Sequence, residues 1–233
     1  MLILGIESAT ELVGCAIGGH EGVLAAVEVT RGRRHAETLT PAIEFCCQRA
    51  DIALDEISVV AVDIGPGLFT GLRVGIATGK ALAHALRIPM IGIPSLDLLA
   101  FPIRHANRLI ATVVDARRGE VFYAFYRQVP GGVQRLSLPV IGSPDDVVAD
   151  IYALGNDILC VGDGAIRYRD ALKEVHGLEI ADASLAHPSP RPLVQLAHAK
   201  ALREEWVNPW ELEPLYLRKP DAEINWPTRA GVR

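Results

Sequence analysis

Residues 63–84 of the chain read DIGPGLFTGLRVGIATGKALAH, which predicts a strand end, a glycine-rich loop and a helix. In the helix, small residues recur at every fourth position, at Gly71, Gly75, Gly79 and Ala83. Residues four apart lie on one helical face. Because each glycine inside a helix costs about 1 kcal/mol relative to alanine, three of them indicate a strip that another backbone approaches closely. The sequence does not decide what packs against this strip, which is either the sheet of the same chain or a helix of another chain.

The loop in this stretch does not match a standard nucleotide-binding motif. The segment GPGLFTG at 65–71 is one residue longer than the dinucleotide fingerprint, and GIATGKA at 75–81 is one residue shorter than a phosphate-binding P-loop. Lys80 also falls well inside the helix, away from the first-turn amides that bind phosphate. Thr70 is instead the expected N-cap, because its hydroxyl can accept an amide hydrogen of the first turn.

The composition favours a folded protein with a large core. Half of the 233 residues are hydrophobic and 22% are charged, which disfavours disorder. The net charge of -5 disfavours a protein that binds nucleic acid by itself, because such binding normally needs a basic face. The one dense basic cluster, at 31–35, is either a solvated loop or a phosphate-contacting patch.

Neither the cysteines nor the histidines form a metal-binding pattern. The four cysteines (Cys15, Cys46, Cys47 and Cys160) have no C-x-x-C spacing and are expected to be small buried residues. No two histidines are three or four residues apart, the spacing that a metal pair on one helix needs. The N-terminus has no basic region before its first acid, and no apolar run approaches 18 residues, so we expect a cytoplasmic protein without a membrane span.

The order of predicted elements indicates two units of one α/β architecture. In the first unit we expect strands at 2–7, 12–17, 23–30, 59–64 and 89–93, and helices at 36–50, 68–86 and from 94. In the second we expect strands at 109–115, 121–126 and 158–161, helices at 143–152, 168–175 and 189–205, and an extended arm at 209–233. We therefore predict a first lobe at 1–104 and a second, degenerate lobe at 105–233.

This pattern resembles the actin, Hsp70 and sugar-kinase superfamily, whose ribonuclease-H-like fold is a two-lobed α/β arrangement with mixed β-sheets flanked by helices. More closely, the residues resemble the bacterial TsaB (YeaZ-type) family. The matching stretches are ILGIESAT at 3–10, HAETLTP at 35–41, GPGLFTGLRVG at 65–75, DARRGEV at 115–121 and PLYLR at 214–218. They come in the family's order and span nearly the whole chain.

The resemblance implies a non-catalytic scaffold subunit of the complex that makes N6-threonylcarbamoyladenosine in tRNA. Such a subunit binds and stabilises the catalytic paralogue TsaD, helps to recruit the ATPase TsaE, forms a homodimer when alone, and meets tRNA only through the complex. At the position of Glu7 the TsaB family more often has aspartate, whereas TsaD can carry glutamate there. That enzyme, however, is longer and carries an H-x-x-x-H metal pair, which this chain lacks. The resemblance implies no resident cofactor and leaves open weak ATP or ADP binding at an interface of the complex.

We place the partner surface on two helices of the first lobe. The first helix contributes Leu39, Ile43 and Cys47, and the second contributes Gly71, Arg73, Gly75 and Gly79. A strip of small residues beside an apolar stripe suits a tight helical bundle between two related chains.

Remnants of the superfamily's nucleotide-binding loops are expected at the strand ends, at Glu7, Thr10, Asp115, Gly162, Asp163 and Gly164. Acids at these ends, including Asp63, either position Mg²⁺ and a nucleophile, as in a kinase, or cap turns. Arg117 and Arg118 stand where a phosphate-binding turn needs small residues, so we expect weak or absent nucleotide binding by the isolated chain. The alternative function is an ATP-dependent small-molecule kinase of the same fold, and the charge disfavours a third, a free-standing tRNA-binding protein.

Overall fold

The computed structural model describes residues 1–30, 34–155 and 157–218, and these form eleven strands and seven α-helices. The first sheet contains β1 (Leu2–Glu7), β2 (Leu12–Gly19), β3 (Gly22–Thr30), β4 (Ile57–Asp63) and β5 (Met90–Ile93). The second contains β6 (Leu109–Arg117), β7 (Glu120–Val129), β8 (Gly132–Arg135), β9 (Val140–Gly142), β10 (Ile158–Val161) and β11 (Leu178–Ile180). The helices are α1 (His35–Ala50), α2 (Phe69–Leu86), α3 (Ser95–Ala100), α4 (Pro144–Leu154), α5 (Asp163–Arg167), α6 (Arg169–Leu172) and α7 (Pro190–Ala201).

The two sheets share one topology. The first has the order β3-β2-β1-β4-β5, with β1 antiparallel to β2 and parallel to β4. The second has the order β11-β10-β6-β7-β8, with β6 antiparallel to β7 and parallel to β10. The added strand β9 pairs with the start of β7. Both sheets are therefore mixed. In each sheet, the central strand and its parallel neighbour (β1 with β4, and β6 with β10) end at the same edge of the sheet.

Helices cover both faces of the first sheet. On one face, α1 and α2 bury Leu39, Ile43 and Ile76 against β1, β2 and β4. On the other, α7 buries Leu193 and Val194 against the same strands. The predicted division placed the α7 segment in the second lobe, but its apolar stripe completes the core of the first sheet. The lobe boundary near residue 104 stays a prediction.

Helix α3 joins the two halves of the molecule. Its buried residues Leu96 and Leu99 pack with Ile110, Val114 and Phe122 of the second sheet. On the opposite face of that sheet, α4 and α6 pack over β6, β7 and β10. Among the described residues, no helix combines the length and hydropathy that a membrane crossing needs.

Two local predictions need correction. Helix α2 begins at Phe69, with Leu68 at the N-cap position, so the prediction of Thr70 as N-cap is wrong. The Leu68 N–H is bonded to the Ala9 carbonyl at 2.7 Å, which fixes the N-cap two residues earlier than the hydroxyl of Thr70 indicated. The helix predicted at 168–175 is replaced by the short helices α5 and α6, whereas α1 begins at His35, within one residue of its predicted start.

The segment after α7 crosses both halves of the molecule. Val207 pairs with Met90, and Leu212 is buried in the first core. The Leu215 N–H is bonded to the Ile64 carbonyl at 2.6 Å, and Arg218 donates to the Ala116 carbonyl at 2.8 Å. The rest of the predicted arm, 219–233, lies outside the described residues, as do residues 31–33 of the basic cluster.

Candidate functional site

The turns that follow β1, β6 and β10 meet at one gap between the two halves. The gap is lined by Ala9, Thr10, Glu11, Leu68, Val114, Asp115, Arg117 and Asp163. The structure thus brings together Thr10, Asp115 and Asp163, three of the predicted nucleotide-loop remnants. Gly162 and Gly164 lie directly behind, where an added Cβ would stand 2.2 and 2.9 Å from the Val113 carbonyl oxygen. These two glycines allow the β10 turn to pack on β6.

The Arg117 side chain fills this gap. Its guanidinium binds Glu11 Oε1 at 2.7 Å and Asp115 Oδ2 at 3.1 Å, so it joins the first turn of each half. The Glu11 contact raises the pKa of Arg117, and the same contact lowers the pKa of Glu11. The space that remains between the lining residues does not admit a water-sized sphere. A nucleotide phosphate would have to displace this ion pair, so weak or absent nucleotide binding stays our prediction for the isolated chain.

The acids at the strand ends share one local role. Each accepts a hydrogen bond from the backbone N–H two residues later: Glu7 from Ala9 at 2.7 Å, Asp63 from Gly65 at 2.7 Å and Asp115 from Arg117 at 2.9 Å. Asp163 instead accepts from the backbone N–H of Asp115 at 2.9 Å, and burial raises its pKa. Of the two interpretations left open by the sequence, this geometry favours the capping of turns.

Glu7 and Asp63 form a buried acid pair beneath the gap. The parallel register of β1 and β4 places them side by side, with 0% and 3% of their surfaces exposed. Asp63 also accepts a hydrogen bond from Ser95 Oγ at 2.7 Å. Burial, with Asp63 beside it, raises the pKa of Glu7 well above its usual value, and burial raises the pKa of Asp63 to about 6. Glu7 Oε2 and Asp63 Oδ2 are buried and have no partner among the other described groups, which suits one proton held between the two carboxyls.

This acid pair predicts a stability that falls as pH rises. Both pKa values are raised in the folded state, so their contribution is fully present below about pH 4 and is lost as pH rises through the folded pKa values, near 6 for Asp63. We expect the free energy of unfolding to drop by roughly 2 kcal/mol or more between pH 5 and pH 8. Glu7→Gln should flatten this dependence, because an amide can donate to Asp63 and accept from Ala9 without titrating.

The measurement is urea denaturation across this pH range, with the exposed Glu44→Gln as the matched control. We expect the control to keep the slope of the wild-type protein. An equal slope in Glu7→Gln and the wild type would show that the acid pair does not carry the pH dependence.

The glycine strip of α2 faces the protein's own sheet. An added Cβ at Gly71 would stand 2.1 Å from the Ser8 carbonyl oxygen, and one at Gly75 would stand 2.2 Å from Ser8 Oγ. A Cβ at Gly79 would stand 2.6 Å from Val62 Cγ1. The expectation that Gly71, Gly75 and Gly79 present an open strip to a partner is therefore wrong. The helix needs these glycines to lie closely on β1 and β4.

The outer surface between α1 and α2 holds a groove of about 340 Å³. Two predicted partner residues, Ile43 and Cys47, line it, whereas Leu39 lies deeper and is 1% exposed. The other lining residues are Thr40, Glu44, Leu54, Thr78 and Leu82. We call this feature the α1–α2 groove.

A second strip of small residues, missed in the sequence, lies on the exposed side of α2. Ala77, Ala81 and Ala85 are four residues apart and exposed, next to Thr78 and Leu82 of the α1–α2 groove. The signal that would have found it is the same four-residue spacing, offset by two positions from the glycines. Alanine is the best helix former, so alanines in a helix, unlike glycines, do not by themselves indicate a close contact.

Arg73, the remaining predicted partner residue, is exposed at the first turns of α2. Its guanidinium stacks on the Phe69 ring, 3.9 Å from the centroid, and its Nε donates to Tyr216 Oη at 3.1 Å. The centroids of the Phe69 and Tyr216 rings are 5.3 Å apart. Arg73 thus attaches the C-terminal segment to α2, a role that the sequence did not indicate.

Known proteins with similar sequences and structures cover nearly the whole chain. Residues 25–226 match the family described as "TsaD: tRNA N6-adenosine threonylcarbamoyltransferase". The chain is 30% identical over 222 residues to the tRNA threonylcarbamoyladenosine biosynthesis protein TsaB of Escherichia coli, covering 94% of this chain and 95% of that protein. It is 29% identical over 232 residues to TsaB of Bacillus subtilis, covering 97% and 98%.

Two further comparisons concern length and fold. The chain is 37% identical over 227 residues to an uncharacterized protein of Mycobacterium leprae; the match covers 95% of this chain but spans 56% of that relative. The solved structure of YeaZ from Pseudomonas aeruginosa superposes with a TM-score of 0.81 at 26% identity, covering 93% of this chain and 99% of that one. The predicted actin-like fold, with mixed sheets flanked by helices, is confirmed.

Proposed function

The chain belongs to the TsaD family of tRNA N6-adenosine threonylcarbamoyltransferases, and from this membership we propose that it acts in the biosynthesis of threonylcarbamoyladenosine in tRNA. Two relatives that it covers almost completely carry the name TsaB, the group that the sequence resembles. Within that pathway, we propose a scaffold role: the chain binds and stabilises the catalytic subunit TsaD and helps to recruit the ATPase TsaE.

The observation that carries the scaffold proposal is the outer face of α1 and α2. Small residues at 77, 81 and 85 let another helix approach closely, and the α1–α2 groove beside them offers Ile43, Cys47 and Leu82 to an apolar side chain. Leu54, which also lines the groove, is 37% exposed and adds to its apolar surface. Large apolar residues exposed around a groove are typical of protein–protein contact sites.

We propose that the same surface forms a homodimer in the absence of the partner. The chain matches the family that is named for TsaD, so the two subunits share a fold. A face that packs against its counterpart in a paralogue has the shape needed to pack against a second copy of itself. We therefore propose that TsaD displaces a homodimer built on α1 and α2.

The geometry of the gap supports a role without chemistry of its own. Arg117 occupies the position between the two first turns, and Glu7, Asp63 and Asp115 are engaged by the backbone amides of their own turns. These contacts disfavour the alternative of an ATP-dependent kinase, which would need the acids free for Mg²⁺. With a net charge of -5, the chain is proposed to meet tRNA only through the complex.

The test is size-exclusion chromatography with light scattering, on this chain mixed with TsaD of the same organism. We expect a one-to-one complex that forms at the expense of any homodimer and that retains TsaE when the ATPase and ATP are added. No complex, together with ATP hydrolysis by the chain alone, would overturn the scaffold proposal and favour the kinase.

A further inference from the structure

A second groove, separate from the gap and from the α1–α2 groove, lies between the two halves of the molecule. Its volume is about 670 Å³. One wall is formed by α7 and by α3 with the turn after it, and the other by β7, β8 and the residues that follow β8. This size is within the range of pockets that bind small molecules, and such pockets often lie where two structural units meet. We call it the interlobe groove.

Most of the groove surface is apolar. Ile93, Phe101, Val133 and Leu196 line its walls. Leu136 and Leu138 form part of its edge and are 40% and 80% exposed. A leucine that is 80% exposed at the edge of a concave apolar surface gains a large contact area when a ligand covers it.

Inside the groove, one carboxylate is fully engaged. Arg135 donates from Nη2 to both oxygens of Asp97, at 2.7 Å each, and Tyr126 Oη donates to Asp97 Oδ1 at 2.7 Å. Tyr126 is 1% exposed, and its burial next to Asp97 raises its pKa, so it stays a neutral donor. The network holds α3 of one half against β7 and β8 of the other, and it neutralises the one acid that lines the groove.

The charged groups that remain are cationic. Lys200 and Arg203, from the end of α7 and the turn after it, line the groove together with Arg135. Arg203 pairs with Glu205, and Arg203 together with Lys200 lowers the pKa of that acid. The Lys200 ammonium itself makes no direct hydrogen bond or ion pair with any described residue. The lining therefore carries three cations and one carboxylate, and with Glu205 beside it one positive charge is left over.

We propose that the interlobe groove binds a small amphipathic anion. Its apolar body would cover Phe101, Leu136, Leu138 and Leu196, and its carboxylate, sulfonate or phosphate group would pair with Lys200. Charge complementarity selects this class over a neutral apolar molecule, because binding supplies the Lys200 ammonium, which has no hydrogen-bond partner among the described residues, with a charge-assisted hydrogen bond. The bound molecule would contact α7 of the first half and β8 of the second, so it would also stabilise the two halves relative to each other.

The experiment is a fluorescence titration with 8-anilinonaphthalene-1-sulfonate, an aromatic anion, on the folded full chain. We expect saturable binding that octanoate displaces and octan-1-ol does not. Lys200→Gln should raise the Kd of the probe about tenfold through the lost charge-assisted hydrogen bond. Leu138→Ser should raise it several-fold through the lost apolar contact.

Each variant has a matched control outside the groove. Lys80→Gln removes another half-buried lysine, and Leu154→Ser another exposed leucine, and neither should change the Kd. Circular dichroism and thermal melts establish that every variant is folded. The proposal is overturned if the wild type shows no saturable binding, or if Lys200→Gln binds the probe as tightly as the wild type. It is also overturned if Leu82→Ser, in the α1–α2 groove, removes the binding.

Discussion

Gly71→Ala should lower the free energy of unfolding of the isolated chain by roughly 3 kcal/mol or more, although alanine is the better helix former. At an ordinary helix position, replacing glycine with alanine stabilises by about 1 kcal/mol. At Gly71 the new Cβ would stand 2.1 Å from the backbone oxygen of Ser8, and a backbone atom cannot rotate away. Helix α2 would have to lift from β1, which would loosen the core that contains Ile6 and Ile76.

Gly75→Ala is the matched comparison. There the clash, at 2.2 Å, is with Ser8 Oγ, which can rotate to another position. The rotation breaks the 2.9 Å hydrogen bond from Ser8 Oγ to the Gly71 carbonyl, worth about 1 kcal/mol. We therefore expect Gly75→Ala to be near neutral, because the gain in helix propensity offsets this loss, whereas Gly75→Leu should prevent folding.

Urea denaturation of the isolated protein measures these differences. Ala77→Gly, on the exposed face of the same helix, serves as the control and should destabilise by about 1 kcal/mol through propensity alone. If Gly71→Ala proves as stable as the wild type, the strip does not pack on the β1 turn and the inward orientation of α2 is wrong.

The direction of this strip marks the limit of what the sequence could predict. A four-residue spacing identifies a helical face but not the side on which the sheet lies. Helix α2 carries two such faces, at 71, 75 and 79 and at 77, 81 and 85. Their assignment depends on contacts with β1, which is distant in sequence. The packing of α7 on the first sheet likewise depends on contacts with strands that are distant in sequence.

Local signals, by contrast, were reliable where short-range chemistry decides the structure. The helices predicted from 143 and from 189 do start there: Ser143 caps α4 with Pro144 at its first position, and Ser189 caps α7 before Pro190. The turn acids were predicted at the strand ends, but the pairing of Glu7 with Asp63 was not. That pairing follows from the parallel register of β1 and β4, which residue spacing does not encode.

Ala81→Glu should strongly weaken the complex with TsaD while leaving the isolated chain folded. Ala81 is exposed, in the middle of the outer strip of α2 and next to Leu82 of the α1–α2 groove. A glutamate there would hold a partner helix away from α2, and a tight contact would bury its charge without a partner. An uncompensated charge buried in a contact costs about 3 kcal/mol or more, so we expect the Kd for TsaD to rise by at least about a hundredfold.

Ala149→Glu is the matched control, because Ala149 is also an exposed alanine within a helix, on α4 of the other half. It should bind TsaD as the wild type does, in calorimetric titrations run beside thermal melts of both variants. Both variants add one negative charge, so any difference between them reports position and not charge. If Ala81→Glu binds TsaD with the affinity of the wild type, the partner does not dock on the outer face of α2. If it loses TsaD but keeps the homodimer, the two assemblies use different surfaces, and the proposed exchange between them is wrong.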